Sequence, residues 1–215
     1  RPILVRSWGI HPRWSILRRW RRYEGRSDQF SVVSIQYREI AMIEALCFGL
    51  VSIAIFWVSW PSLRQPNVHG FYRFFAWEAI LGLILLNLRG WFDDPFAWHQ
   101  IVSWILLIVS LYPVIHGVYL LRAVGKPTDI LEQTTRLVTR GLYHYIRHPL
   151  YASLLYLAWG VFFKSPSLLD GCLACVATAF LYATARADEA ECLVKFGDEY
   201  TRYMKTTKMF IPFLF

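Results

Sequence analysis

Long apolar runs alternate with short polar segments along the chain, and the runs can be measured against a bilayer. A helix rising about 1.5 Å per residue needs about 20 largely apolar residues to cross the hydrocarbon core. Ile40–Trp60 meets that length with Glu44 as its only charge, and Ile101–Leu121 carries none, with Pro113 placed to kink it. Phe71–Leu88 is interrupted by Arg73 and Glu78. It still reads as a span, with Arg73 expected to snorkel to the interface among neighbouring aromatics. Leu150–Phe163 is apolar but short, and Lys164-Ser165-Pro166-Ser167 separates it from Leu168–Ala185. So tight a turn predicts two antiparallel helices. The pattern therefore predicts an all-α polytopic membrane protein of about five transmembrane helices, the last two forming a C-terminal helical hairpin. Polar material is left at residues 1–39, 122–149 and 186–215.

Composition supports the bilayer as solvent. Apolar residues make up 56% of the 215 residues, aromatics 17% and charged residues 18%, against about 45–50% apolar in soluble domains. Lys and Arg number 23 against 15 Asp and Glu, a net +8. Because the cations sit between apolar runs, they orient spans and meet anionic headgroups; nucleic acid is not the expected partner. Cys47, Cys172 and Cys175 fall in apolar segments, while Cys192 lies in a polar one. The CxxC of Cys172 and Cys175 lacks a second ligand pair, so both are read as small buried hydrophobes and no metal is expected. The first apolar run long enough for a signal peptide begins near residue 40, so no cleavable leader is expected. Orientation holds a conflict. Residues 1–38 carry nine Arg, and residues 122–149 with 186–208 carry ten Lys or Arg. The positive-inside rule places both groups inside, yet three spans lie between them. A dip of Phe71–Leu88 into the membrane and back, an upstream span, or an external basic arm would each resolve it. The arm itself, residues 1–39, reads best as an amphipathic or headgroup-facing segment.

Candidate chemistry concentrates in two places. The first is residues 137–151, where Gly141 permits a turn and Pro149 favours an extended residue before it and a helix starting after it, leaving Arg147 and His148 at the membrane surface beside helix N-terminal amides. The second is residues 186–203. If the preceding helix continues, Asp188 and Cys192 share one face, Glu189 and Leu193 another, and Glu191 a third. Carboxylates there could grip ribose hydroxyls or an ammonium group, or sit near a sulfonium cation.

The two motifs together, Arg147-His148-Pro149-Leu150-Tyr151, a hairpin, Asp188-Glu189, then Phe196-Gly197-Asp198-Glu199-Tyr200 with Tyr203 and Pro212 beyond, closely resemble the isoprenylcysteine carboxyl methyltransferase and phospholipid methyltransferase family. Bacterial thiol methyltransferases look like relatives sharing the same C-terminal half. The resemblance covers roughly residues 125–213 and implies an integral-membrane enzyme that uses S-adenosylmethionine. It implies a cofactor held by a cytosolic C-terminal region and a lipophilic acceptor entering from the bilayer. Membrane lipids are then its surroundings, and a prenylcysteine carboxylate, a phospholipid amine or a thiol its acceptor. Carried onto this sequence, the cofactor residues are Thr135, Arg136, Leu137, Val138, Tyr143, His148, Pro149, Leu150, Tyr151, and Asp188 or Glu189. Catalytic roles fall to His148, Arg147 and Glu189. The family's substrate-linked Arg falls on Thr184, and Arg186 is the substitute at hand. The pair here reads Asp-Glu where the family has Glu-Glu, which leaves Asp188, Glu189 and Glu191 open as the cofactor carboxylate. The implied organisation is a basic arm over residues 1–39, an acceptor tunnel over 40–121 and a catalytic region over 122–215.

In-line methyl transfer needs positioning and exclusion of water more than a covalent nucleophile. An amine or thiol acceptor must lose a proton, a task open to His148, Glu189 or Glu191. Two rivals differ in class. Membrane sterol reductases, which use NADPH, read Arg-His-Pro-Asn-Tyr where this chain has Leu150. A noncatalytic transporter or assembly protein would line a path with Glu44, Glu78 and His116.

Overall fold

The computed structural model describes residues 27–125 and 135–214, with side chains from Arg38 onward. Most of the basic arm, residues 1–26, and residues 126–134 lie outside the described residues. Six α-helices follow in order: α1 Ser27–Leu63, α2 His69–Asn87, α3 Trp98–Leu120, α4 Pro149–Phe162, α5 Leu168–Phe196 and α6 Asp198–Thr206. Short 3-10 turns occur at Leu88–Gly90 and Gly141–His144, and a π turn extends α3 over Leu121–Gly125. No β-strand occurs among the described residues; one isolated bridge pairs Ile146 with Lys208.

The chain divides into two compact units, residues 1–50 and 51–215. In the first, the helix starts at Ser27 and not near residue 40, so residues 27–39 of the expected arm are helical. Its apolar side chains are exposed, Leu46 and Leu50 among them, as suits a surface solvated by lipid. The second unit holds everything described below.

Among the described residues, four stretches have the length and apolarity to cross a membrane: Arg38–Leu63, His69–Gly90, Trp98–Gly125 and Leu168–Phe196. The protein is an integral membrane protein. Of the five helices read from the sequence, α4 alone falls short. Pro149 sets its start and the turn at Phe163 its end, leaving 14 residues, about 21 Å of rise against a core of about 30 Å. Conversely, α5 runs past Ala185 to Phe196, because no helix breaker intervenes until Gly197, at φ 56°.

In the second unit, α2 packs most extensively on α5, and α3 on α4. The core joins Ala76, Ala79 and Leu83 of α2 to Ala174, Ala177 and Leu181 of α5, with Ala158 and Val161 of α4. Small residues let helix backbones approach where lipid supplies no hydrophobic drive. Gly160 shows the same economy, since a Cβ there would meet Leu107 at 3.0 Å. Two expectations are corrected by this packing. Cys172 and Cys175 are exposed on the outer surface of α5, because Ala174 and Ala177 take the inward positions. Arg73 does not snorkel outward; it is 7% exposed, because α2 turns that face toward α5 and the interior.

One end of this unit is tied by buried polar groups. Ser167 caps α5, accepting from the Asp170 amide at 3.2 Å, and Asp170 Oδ1 accepts from Asn87 Nδ2 at 3.2 Å. Lys164 donates from Nζ to Gln100 Oε1 at 3.0 Å and lies 3.5 Å from the Trp104 ring centroid. Gln100 Nε2 donates back to the Lys164 carbonyl at 3.0 Å. Each of these side chains holds another loop or helix end, which satisfies most of the groups that burial would otherwise leave costly; Asn87 Oδ1 is left without a hydrogen bond.

Candidate active site

The opposite end is built around the turn before α4. Gly141 sits at φ 60°, and a Cβ there would meet His116 Nε2 at 2.7 Å and Leu120 at 2.8 Å. Only glycine accommodates both the conformation and the close approach. The 3-10 turn that follows buries Tyr143. Pro149 then occupies the first turn of α4, where its missing N–H costs nothing, and His148 is the N-cap.

The C-terminal segment closes over this turn. The Arg147 amide donates to the Lys208 carbonyl at 2.8 Å, the His148 amide to the Met209 carbonyl at 3.2 Å, and the Lys208 amide to the Tyr145 carbonyl at 3.0 Å. Tyr203 donates its hydroxyl to the Tyr143 carbonyl at 2.6 Å, and Tyr156 does the same to the Phe210 carbonyl at 3.2 Å. Gly197 starts this segment by letting α5 stop and α6 turn back, so the Phe-Gly-x-x-Tyr motif is the hinge of the closure.

Charged groups interlock beneath it. Arg147 meets Glu189 Oε1 through Nε and Nη2, both at 2.8 Å, and donates from Nη1 to the Met204 and Thr207 carbonyls. Glu189, 2% exposed, also receives Arg186 Nη1 at 3.1 Å. His148 lies 3.4 Å from Asp188 Oδ2 through Nδ1 and 3.5 Å from Glu189 Oε1 through Nε2. Its ring stacks on Tyr151, with centroids 5.5 Å apart. Burial opposes a charge on His148, but the two carboxylates outweigh it and raise its pKa above the usual histidine value. Burial pushes Tyr143, Tyr200 and Tyr203 well above the ordinary phenol range, so all three are neutral at pH 7.

A cavity of about 260 Å³ opens among these groups. Of the residues expected in a site, Leu137, Val138, Tyr143, Arg147, His148, Pro149, Leu150, Tyr151 and Asp188 line it. Four do not. Thr135 and Arg136 are exposed and spend their amides on the Gly125 carbonyl. Glu189 stands behind the wall, engaged by Arg147, and the Arg186 side chain is 59% exposed. Sequence reasoning missed a stripe on α2: His69, Arg73 and Trp77 line the cavity too. Their spacing of four was the available signal, a polar face in an otherwise apolar run. His69 Nδ1 lies 2.7 Å from Glu191 Oε2, so the third face predicted for α5 meets α2. Asp188 and Cys192 share a face as expected, with Sγ 3.8 Å from Oδ1. Glu78 accepts from Ser52 and His116 stacks on Tyr112, and neither lines the cavity.

The cavity is thus floored by an Arg-His-Pro turn, flanked by the acidic exit of α5 and closed by a tyrosine-bearing tail. Residues 98–197, just under half of the chain, match the phospholipid methyltransferase family. Among curated proteins, the chain is 26% identical over 146 residues to a methanethiol S-methyltransferase of Crocosphaera subtropica, covering 66% of this chain and 55% of that protein. It is 29% identical over 116 residues to methanethiol S-methyltransferase 1 of Bradyrhizobium diazoefficiens, covering 51% and 39%. It is 25% identical over 176 residues to the Pseudomonas deceptionensis enzyme of the same name, covering 79% and 58%. The chain thus spans about half the length of the curated relatives it matches.

Proposed function

We propose that this protein is an S-adenosylmethionine-dependent methyltransferase of the membrane, moving a methyl group to a lipophilic or small acceptor. The observation that carries the reading is the convergence on one cavity of the Arg-His-Pro turn, Asp188 and the C-terminal tyrosines. The donor set suits such a cofactor. A molecule bearing a carboxylate, an ammonium group and a sulfonium finds cations at Arg73 and His148, a carboxylate at Asp188, and ring faces at Tyr143, Tyr151 and Trp77. His148 Nε2 faces Glu189 Oε1 at 3.5 Å without forming a full hydrogen bond, so a ligand entering the cavity can compete for it. When bound, the cofactor supplies an electrophilic methyl carbon.

The chain's own residues then have distinct tasks. Arg147 and Glu189 hold the turn to the tail; they position the wall without entering the cavity's chemistry. His148, whose protonated form the two carboxylates favour, fixes Asp188 through Nδ1. Asp188 is the cavity carboxylate best placed to bind the ammonium or accept a proton from an acceptor, since Glu189 and Glu191 are engaged by Arg147 and His69. The closed tail limits water.

The site faces the cytosol in this reading, which follows the ten Lys or Arg of residues 122–149 and 186–208 and sets aside the nine Arg of residues 1–38. The test is binding followed by turnover. Purified protein in detergent should bind S-adenosylmethionine, and labelled methyl should appear on one of three acceptor classes: membrane lipid, prenylcysteine or small thiol. Binding of NADPH in place of S-adenosylmethionine would sink the reading.

A further inference from the structure

The segment that closes the cavity turns back along the bundle after α6. Met209 and Phe210 are buried against Ala152 of α4 and Ala185 of α5. Ala185 is the last residue of an apolar run and Ala152 lies in the first turn of α4, so this contact marks the edge of the hydrocarbon. Tyr156, about 10 Å along α4 from Pro149, donates its hydroxyl to the Phe210 carbonyl. Beyond that point the apolar side chains face outward. Phe213 is 79% exposed and Leu214 77%, and the Phe213 ring lies 5.9 Å from that of Tyr145, itself exposed. Phe213 also sits at φ 66°, a left-handed conformation that is costly for a bulky residue and that burial within the protein does not offset. Residues 200–214 hold Arg202, Lys205 and Lys208, all exposed, and no Asp or Glu.

We infer that residues 209–214, with Tyr145, form a membrane-surface anchor whose partner is an anionic lipid leaflet, and that this contact favours the closed cavity. Apolar tips at the hydrocarbon edge with cations beside them suit a headgroup layer: the tips enter the acyl boundary and the cations meet phosphates. The neighbouring turn adds Arg136 and Arg140, both exposed, with no acid over residues 135–148. Asp198 and Glu199 stand in the first turn of α6, where they complement its dipole. The link to the site is short. Lys208 and Met209 accept from the Arg147 and His148 amides, and Phe213 follows Met209 by four residues. Lipid that holds the tip therefore holds the closing segment on the floor of the cavity. Lipid contact and ligand binding both favour the closed arrangement, so each strengthens the other. The ligand half of this inference rests on the methyltransferase reading; the lipid half stands without it.

The whole protein in nanodiscs tests both halves, with discs of phosphatidylcholine compared with discs of phosphatidylcholine and phosphatidylglycerol. Amide hydrogen exchange over residues 205–214 should be at least about fivefold slower in the anionic discs. The difference should shrink at high salt, and inorganic phosphate added to phosphatidylcholine discs should not reproduce it. S-adenosylmethionine should bind at least about threefold more tightly in the anionic discs. Lys205→Gln with Lys208→Gln, and separately Phe213→Ser with Leu214→Ser, should abolish both differences while far-UV circular dichroism stays the same. Equal exchange in the two discs overturns the inference, as do double variants that behave like the unsubstituted protein. Protection reproduced by inorganic phosphate overturns the lipid as partner, and a Kd indifferent to lipid overturns the coupling to the cavity. Lipid-dependent protection in a protein that binds no S-adenosylmethionine removes the methyltransferase reading and leaves the anchor standing.

Discussion

The two ends of the second unit bury similar numbers of polar side chains and use them in opposite ways. Around Lys164, Gln100, Asn87 and Asp170 the donors and acceptors turn toward one another and toward helix ends, with Trp104 packed over the ammonium. Around His148, Asp188 and Arg73 they stand in the wall of a cavity, and His148 Nε2 lacks a hydrogen bond. Burial of charge is thus no signature of function; in this protein the cavity separates the two.

The sharpest test of that contrast is activity. His148→Ala should lower methyl transfer at least about 100-fold while the protein remains membrane-inserted, whereas Lys164→Met should leave kcat and KM unchanged. Equal losses in both would erase the distinction. Next comes stability at the Arg147–Glu189 pair, where Glu189→Gln leaves a buried guanidinium short of its carboxylate. Chemical denaturation should show a loss of about 3–5 kcal/mol, and an unchanged midpoint would mean that the pair does not hold the tail. At the opposite end, Lys164→Met strands Gln100 Oε1 and should cost about 1–3 kcal/mol by the same measurement.

The smallest effect is a pH dependence that only the site end should show. The folded pKa of His148 is raised above its unfolded value. Its pairing therefore contributes fully below about pH 6.5 and is lost as pH rises through the folded value. The stability gap between the unsubstituted protein and His148→Gln should narrow as pH rises. A gap that widens would place the proton elsewhere.

Much of this architecture was legible in the sequence because span length and the Arg-His-Pro and Phe-Gly-x-x-Tyr motifs are local signals. Ile101–Leu121 and the hairpin turn at Lys164–Ser167 could be read directly, and Gly141 announced its turn. What sequence could not give was rotation about a helix axis. Arg73 was read as snorkelling because its position near the start of a span allows that; the packing of α2 on α5 turns it inward. The cysteines erred the other way for the same reason. Glu189 and Asp188, adjacent in sequence, were left as alternatives, and their two helix faces assign one to the tail and the other to the cavity. The N-terminal arm carries no such packing signal, and its residues 1–26 lie outside the described structure.

The backbone pairing of Arg147 and His148 with Lys208 and Met209 also orders events in time. The turn that floors the cavity leaves the ribosome about sixty residues before the strand-like segment that seals it, a separation readable in the numbering. During synthesis the helices through α5 are therefore made before the segment that closes the cavity. Insertion of those helices and closure of the cavity become separate stages.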